Sequence, residues 1–441
     1  MPDSRERLIL FTRYPEPGTA KTRLIPVLGP EGAAAFQMRM SRHALECAGR
    51  LSAERGASIE IRHEGGSADR MRAWLGSPHA YRPQGPGSLG RRMAHSLAQA
   101  FDSGAERAVI IGSDIPGITV ADLARAFDAL HGNDLVFGPA SDGGYYAIGA
   151  TSTGFRRGSP YLDEQISWGT ARVLAQSIEA ARAQGFRWAL LDVRDDVDRP
   201  QDLPAAMKIL SEAAGPPRLS VIIPALNEAE QIGATLSSLP AAPAVEVVVV
   251  DGGSRDGTPA IAESWQARVL RAHPPRSIQM NAGAALASGA CLVFLHADTR
   301  LPPNLASAIT ATLARPKTGA GAFHLRIDSH HPGLKLIGRA ANWRSRWLRM
   351  PYGDQGIFMQ RDLFWTLGGF APLAIMEDFE MIRRLKKRTC IRLAPGWAVT
   401  SARRWQRHGI FTTWLCNQWM IAAFCLGAST DRLARWYRFK G

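Results

Sequence analysis

VEVVVVDGGSRDGT, residues 245–258, decides the fold. Val247 to Val250 is an unbroken β-branched run, which suits a strand buried on both faces of a parallel sheet. Asp251 then stands at the strand's carboxyl end, the edge at which open α/β sheets bind ligands. Gly252 and Gly253 allow a tight turn and close approach to a ligand. Ser254, Asp256 and Thr258 offer N-caps for a following helix.

The same design recurs along the chain. Leu219 to Glu228 reads as a strand running into a Pro-led loop, where Pro224 is followed by Asn227 and Glu228, side chains able to hydrogen-bond a base or ribose. Cys291 to Leu295 runs into His296-Ala297-Asp298-Thr299. In the first half, Leu8 to Phe11 leads into TRYPEPGTAKTRL, a basic, Gly-containing loop that suits phosphate through Lys21 and Arg23. Ala108 to Gly112 ends at Ser113-Asp114, a carboxylate placed to hold a divalent metal against a diphosphate. Asp134 to Phe137 precedes the Asp142-Gly143-Gly144 turn, and Leu190 to Val193 precedes Asp196 and Asp198. Helices are expected over Gly32 to Arg50, Ser88 to Phe101 and Gln231 to Leu239. This alternation predicts α/β architecture with mostly parallel sheets. AAGPPR, residues 213–218, breaks the pattern, so a first domain over 1–212 and a second over 219–441 are expected.

Composition narrows the class. With 46% hydrophobic residues and 8% aromatics the 441-residue chain can fill cores, which excludes disorder. The five cysteines are never closely paired, so no zinc or disulfide framework is expected. The N-terminus carries charges where a signal peptide needs its apolar core. A cytoplasmic location, extending to the inner face of the membrane, is therefore expected. The net charge of +14 is concentrated: residues 332–441 hold nineteen Lys/Arg against six Asp/Glu, and eight of the twelve tryptophans. Such a segment suits an anionic membrane surface or a phosphorylated substrate. No zinc-finger, RRM or recognition-helix pattern is present, so nucleic acid is not expected as a partner. His408 to Thr430 contains no Asp, Glu, Lys or Arg. It reads as an interfacial or groove-lining helix, a core helix, or a span at the lower limit of length. Peripheral membrane contact through residues 403–441 follows from the first of these.

LILFTRYPEPGTAKTRL, IIGSDIPGI, SDGGYYAIG, SWGT and DVDRPQDL together resemble the DUF2064 family of GT-A-like, nucleotidyltransferase-related proteins. The resemblance implies that Lys21 and Arg23 meet nucleotide phosphates and that Asp114 and Asp198 bind metal, with Asp142 in the same site. Ser88 stands where that family commonly has an acidic residue. In the second half, P-x-x-N-E, D-G-x-S-x-D-G-T, a basic N-x-G helix and H-A-D-T resemble family 2 glycosyltransferases. MPYGDQGIF, MEDFEMIRRLK and SARRWQRHG extend the likeness towards an arsenosugar-biosynthesis-type subgroup. Two tandem GT-A-like domains are implied. So is an inverting, metal-assisted transfer of sugar from a nucleotide-diphosphate donor to a hydroxyl acceptor, lipid-linked or small. Pro224, Asn227, Glu228, Asp251, Gly252, Ser254, Asp256, Arg276, Asn281, Arg403 and Arg404 would bind the donor. Asp298, with His408, would hold Mg²⁺ or Mn²⁺. Asp378 would be the general base, Glu377 would orient it, and Asp354 and Gln355 would line the acceptor side. Two other readings stay open: the first half is a non-catalytic docking module, or the whole chain is a membrane-peripheral binding protein on an inactive fold.

Overall fold

The computed structural model describes residues 5–76, 79–214, 219–240 and 245–440. Residues 215–218 of the expected linker lie outside them. The chain divides into two compact units. Residues 17–35 group with 199–441 rather than with 36–198, which pack with the N-terminal strand.

The first unit is a seven-stranded sheet. Its strands are β1 (Glu6–Arg13), β2 (Ser58–Glu64), β3 (Ala80–Pro83), β4 (Arg107–Gly112), β5 (Leu135–Pro139), β6 (Tyr145–Thr151) and β7 (Trp188–Leu190). Their order is β3-β2-β1-β4-β6-β5-β7. Only β6 runs antiparallel to its neighbours, β4 and β5. Leu8, Ile9 and Leu10 of β1 are fully buried.

The second unit adds β8 (Leu219–Ala225), β9 (Val245–Asp251), β10 (Arg268–Arg271), β11 (Cys291–Phe294), β12 (Thr299–Arg300), β13 (Thr318–Asp328), β14 (Ile357–Gln360) and β15 (Cys390–Ser401). The order is β10-β9-β8-β11-β14-β13-β15-β12. Its first seven places repeat the first sheet's plan. Again the fifth strand, β14, is antiparallel to both neighbours and follows the sixth, β13, in sequence. The expected pair of tandem GT-A-like α/β domains is therefore what the topology shows.

The deciding stretch behaves as its composition requires. Val248, Val249 and Val250 are fully buried, each contributing roughly 1.5–3 kcal/mol of apolar burial. The Arg276–Leu286 helix lies across this sheet, with Ser277 to Leu286 buried. A Cβ on Gly283 would come within 2.6 Å of Ile222 Cγ2 and 2.8 Å of Val250 Cγ2. The small residues of this helix are thus what let it approach β8 and β9.

His408 to Thr430 does not form a span. Its helix is Ile410–Cys425, 16 residues, and among the described residues no helix is long and apolar enough to cross a membrane. The core reading fails as well, because only Thr413 and Met420 of that helix are buried.

Candidate active site

Three parallel strands of the second unit, β8, β9 and β11, deliver their carboxyl ends to one edge. Asn227 and Glu228 follow β8, Asp251 ends β9, and His296 and Asp298 follow β11. The first two loops are stitched together. Asn227, held at φ 53°, accepts from the Arg255 amide at 2.9 Å, and its own amide donates to Ser254 Oγ at 2.9 Å. Asp256 accepts from the Ala229 amide at 3.0 Å and from Thr258 Oγ1 at 2.6 Å, and these bonds hold its carboxyl below the usual range.

Several expected donor contacts turn out to hold the fold itself. Asp251 is fully buried, and its carboxylate accepts from the Gly253 and Ser254 amides at 3.0 and 3.1 Å. Its side chain closes its own turn. Pro224 is buried within β8. Gly252 is needed for close approach, since a Cβ there would meet Gln279 Nε2 at 2.8 Å. Asn281 is buried and spent: its amide donates to Phe370 O and Val27 O, and its oxygen accepts from Phe370 N. Gln355, expected on the acceptor side, is also fully buried. It accepts from Ser345 Oγ at 2.7 Å and donates to Phe323 O at 2.9 Å. A neutral amide can satisfy several backbone groups at once, which is why these two polar residues are structural ties.

What remains converges on a cleft of about 310 Å³ lined by Arg276, His296, Asp298, Asp354, Glu377 and Asp378, with Arg404 and Tyr352 at its wall. Glu377 and Asp378 open the Glu377–Lys386 helix behind Met376, a cap at φ 70°. The helix N-terminus favours negative charge there. Gly353 lies beneath them: a Cβ on it would fall on the Asp378 carboxylate and 2.6 Å from His296 Nε2. A side chain there would force the carboxylate or the imidazole to give way.

The electrostatics are those of crowded acids. Burial, then the Asp378 charge, pushes Glu377 up to about 7, against the pull of Arg276, whose Nε lies 3.6 Å away. Asp354 rises to about 6, first through burial and then through Asp378 and Asp298, with Arg344 opposing. Its Oδ1 is buried without a partner. Asp298 is raised by burial. Arg403 donates to both oxygens of Glu228 at 2.7 and 2.9 Å and reaches Asp298 at 4.0 Å. Burial and the Arg276 charge hold His296 well below its usual pKa, so its imidazole is neutral, and its buried Nε2 has no hydrogen-bond partner.

A neutral imidazole whose Nε2 has no hydrogen-bond partner, lining one cleft with Asp298, fits a divalent cation. His408 does not share in this. It lines an adjoining, largely apolar cavity that includes Arg404. Among the described residues no three His, Cys, Asp or Glu side chains form a metal group by themselves. His296, in the same cleft as Asp298, stands where a D-x-D motif would have its first aspartate.

The first-half residues are not gathered in one unit. Lys21, left-handed at φ 47°, and Arg23 lie in the segment that groups with the second unit. Asp114 follows β4, Asp142 accepts from the Gly144 amide at 2.8 Å in its own turn, and Asp198 ends the first unit. Ser88 caps the Leu89–Asp102 helix, its Oγ accepting from the Arg91 amide. That role explains a serine at this position. Tyr352, Arg344, Gly353, Thr413 and Asn417 were not anticipated. Only the Y-G-D-Q-G run pointed to the first and third of them.

The strand order and a cleft of carboxylates and arginines at the strands' carboxyl edge place the second unit among GT-A-like enzymes. Residues 220–373 match the model of glycosyl transferase family 2, and residues 47–170 match that of DUF2064, an uncharacterized protein conserved in bacteria. The chain thus joins a DUF2064 segment to a segment of the family 2 glycosyltransferase type. Among solved structures it is similar to a protein of Desulfovibrio desulfuricans G20 described as a nucleotide-diphospho-sugar transferase. The two are 34% identical, over 46% of this chain and 87% of that one, with TM-score 0.42. It is also similar to the mannosyltransferase PcManGT of Pyrobaculum calidifontis, solved with GDP-Man and Mn²⁺, at 21% identity over 45% and 68%, TM-score 0.35. A third is the glucosyl-3-phosphoglycerate synthase of Mycobacterium tuberculosis, solved with Mn²⁺ and UDP, at 20% identity over 45% and 74%, TM-score 0.33. No curated protein matches the chain.

Proposed function

We propose that the second unit transfers a sugar from a nucleoside-diphosphate donor to an acceptor hydroxyl with inversion, and that Asp378 is the general base. The observation that carries this is the crowding of Asp378 and His296 around Gly353, in one cleft with Asp298 and Arg276. The acceptor oxygen attacks the anomeric carbon while Asp378 takes its proton. The bond from that carbon to the diphosphate breaks, and the nucleoside diphosphate leaves with the electron pair. Displacement from one face inverts the carbon. Glu377, held beside Arg276, orients the base. Arg276 supplies positive charge to the leaving phosphates. Asp298 and His296 would hold Mg²⁺ or Mn²⁺, which, when bound, offsets the charge of the diphosphate. Asn227, Glu228, Ser254 and Asp256 shape the nucleotide loops, and Asp354 faces the acceptor. Arg403 exchanges Glu228 for donor phosphate. The first half, with Asp114, Asp142 and Asp198, handles the nucleotide or sugar nucleotide. Pyrophosphate release from nucleoside triphosphate and sugar phosphate by the full chain tests that assignment.

Release of nucleoside diphosphate from a panel of nucleotide sugars with Mn²⁺ tests the main reading. Asp378→Asn is expected to lower kcat by about 10²- to 10⁴-fold, the usual worth of a positioned base. Equal turnover would remove Asp378 from that role.

A further inference from the structure

The reaction cleft has an apolar neighbour. A second cavity of about 330 Å³ is walled by Leu415, Cys416, Trp419 and Trp436 and shares Arg404, Thr413 and Tyr437 with the cleft. The indoles of Trp419 and Trp436 lie 4.2 Å apart, centre to centre. None of the nucleotide-loop residues after β8 and β9 lines this space. At the junction, Arg404 lies over the Tyr437 ring at 4.2 Å. Among the described residues it forms no ion pair with a carboxylate.

The helix that builds the wall has an unusual surface. Ile410–Cys425 carries no charged residue and buries only Thr413 and Met420. Phe411 is 72% exposed, Leu415 52% and Trp419 45%. Contiguous apolar surface of this kind marks a binding site in a soluble enzyme, and the cavity's volume is that of a small-molecule pocket. A purely polar acceptor would leave the tryptophan wall wet.

We propose that this cavity seats the apolar body of the acceptor, so that the substrate class is an amphiphile. Its hydrocarbon or ring system lies against Trp419 and Trp436. Its anionic, oxygen-bearing head sits at Arg404, on the side open to Asp378. The inference rests on the glycosyl-transfer reading for the word acceptor, and on the residues common to the two cavities, Arg404, Thr413 and Tyr437, for the chemistry.

Cys416 is a built-in reporter. The full-length protein is treated with iodoacetamide, and alkylation at Cys416 is followed by peptide mass spectrometry, with Cys390 as reference. Decyl phosphate below its micelle concentration is expected to slow alkylation of Cys416 at least fivefold and leave Cys390 unchanged; inorganic phosphate is expected to protect neither. Trp419→Ala should raise the half-protecting concentration by about tenfold, the loss of one aromatic wall; if that variant does not fold, protection of the wild type decides alone. Unaltered alkylation, equal protection by inorganic phosphate, or protection only by phosphatidylglycerol vesicles would each overturn the proposal. Asp378→Asn should be protected like the wild type. Loss of transfer activity as a function would therefore leave this result standing, and the two failures are distinguishable.

Discussion

Gly353→Ala is the sharpest perturbation the geometry offers. The glycine has an ordinary φ, so alanine adds no backbone strain. All of the effect comes from one methyl group. That methyl would overlap the Asp378 carboxylate and stand 2.6 Å from His296 Nε2 and 2.8 Å from Asp378 Cγ. Carbon contacts relax at roughly 3.5–4 Å, so one or both side chains must retreat by about an ångström. Their backbones limit the retreat: Asp378 sits in the first turn of a helix and His296 lies two residues past the end of β11. Overpacking of this kind costs about 1–3 kcal/mol, while an ångström of misplacement at reacting groups costs about 10²-fold in rate. The expected outcome is a protein that melts a few degrees early and turns over about a hundredfold more slowly at saturating donor. Gly132→Ala, with an ordinary φ and open space around it, is the silent control. A Gly353→Ala enzyme within threefold of wild-type kcat would show that Asp378 and His296 do not form the reacting centre.

Three further outcomes are expected. Asn281→Ala should cost about 1–3 kcal/mol by stranding buried partners at Phe370 and Val27, with KM for the nucleotide sugar unchanged; a tenfold rise in KM without loss of stability would restore Asn281 to the donor site. Glu377 titrates near 7 when folded and near 4.3 when unfolded, so the folded state holds an extra proton in that window and loses stability as pH rises through it. Glu377→Gln should therefore melt higher than wild type at pH 8 and flatten the slope between pH 5 and 7; parallel profiles would reject the burial argument. In the first unit, Asp122 is fully buried, yet hydrogen bonds from Arg194, Thr119 and Arg125 outweigh that burial and hold its carboxyl low. Its stabilisation is present above the unfolded value of about 3.9 and is lost as pH falls. Asp122→Ala should cost about 3–5 kcal/mol at pH 7 and weaken the acid transition, and an unchanged acid midpoint in that variant would refute the assignment.

The sheet could be read early because its signal is local. A run such as Val247 to Val250 is excluded from water on both faces, and an acidic or glycine turn must follow where the chain leaves the sheet. Each of β1, β4, β8, β9 and β11 announces itself this way, and their carboxyl edge comes with them. The antiparallel fifth strands do not. Ile357 to Gln360 and Tyr145 to Thr151 look like any apolar strand, and their direction is set by which edge is left vacant once the parallel strands have paired. The grouping of residues 17–35 with the second unit is equally invisible. It depends on contacts such as Asn281 to Val27, separated by 254 positions, and on the fit of Gly32 against Ala282.

At the site the division follows chemistry rather than distance. Carboxylates after a strand or at the head of a helix were legible because the sequence pattern marks both kinds of element end. Asp298, Glu377 and Asp378 all reach the cleft. Amides were misleading because Asn281 and Gln355 can bind backbone as well as they bind ligand, and motif position cannot separate the two. Asp251 shows that even a carboxylate can be absorbed by its own turn when two amides face it. His296 is the converse case. It departs from D-x-D, yet a neutral imidazole with an unpartnered Nε2 close to Gly353 gives the centre an uncharged polar group among the carboxylates. Substituting aspartate there would place one more negative charge among Asp298, Asp354 and Asp378, two of which already sit above their ordinary pKa. The histidine therefore spares this acidic cleft one more buried negative charge.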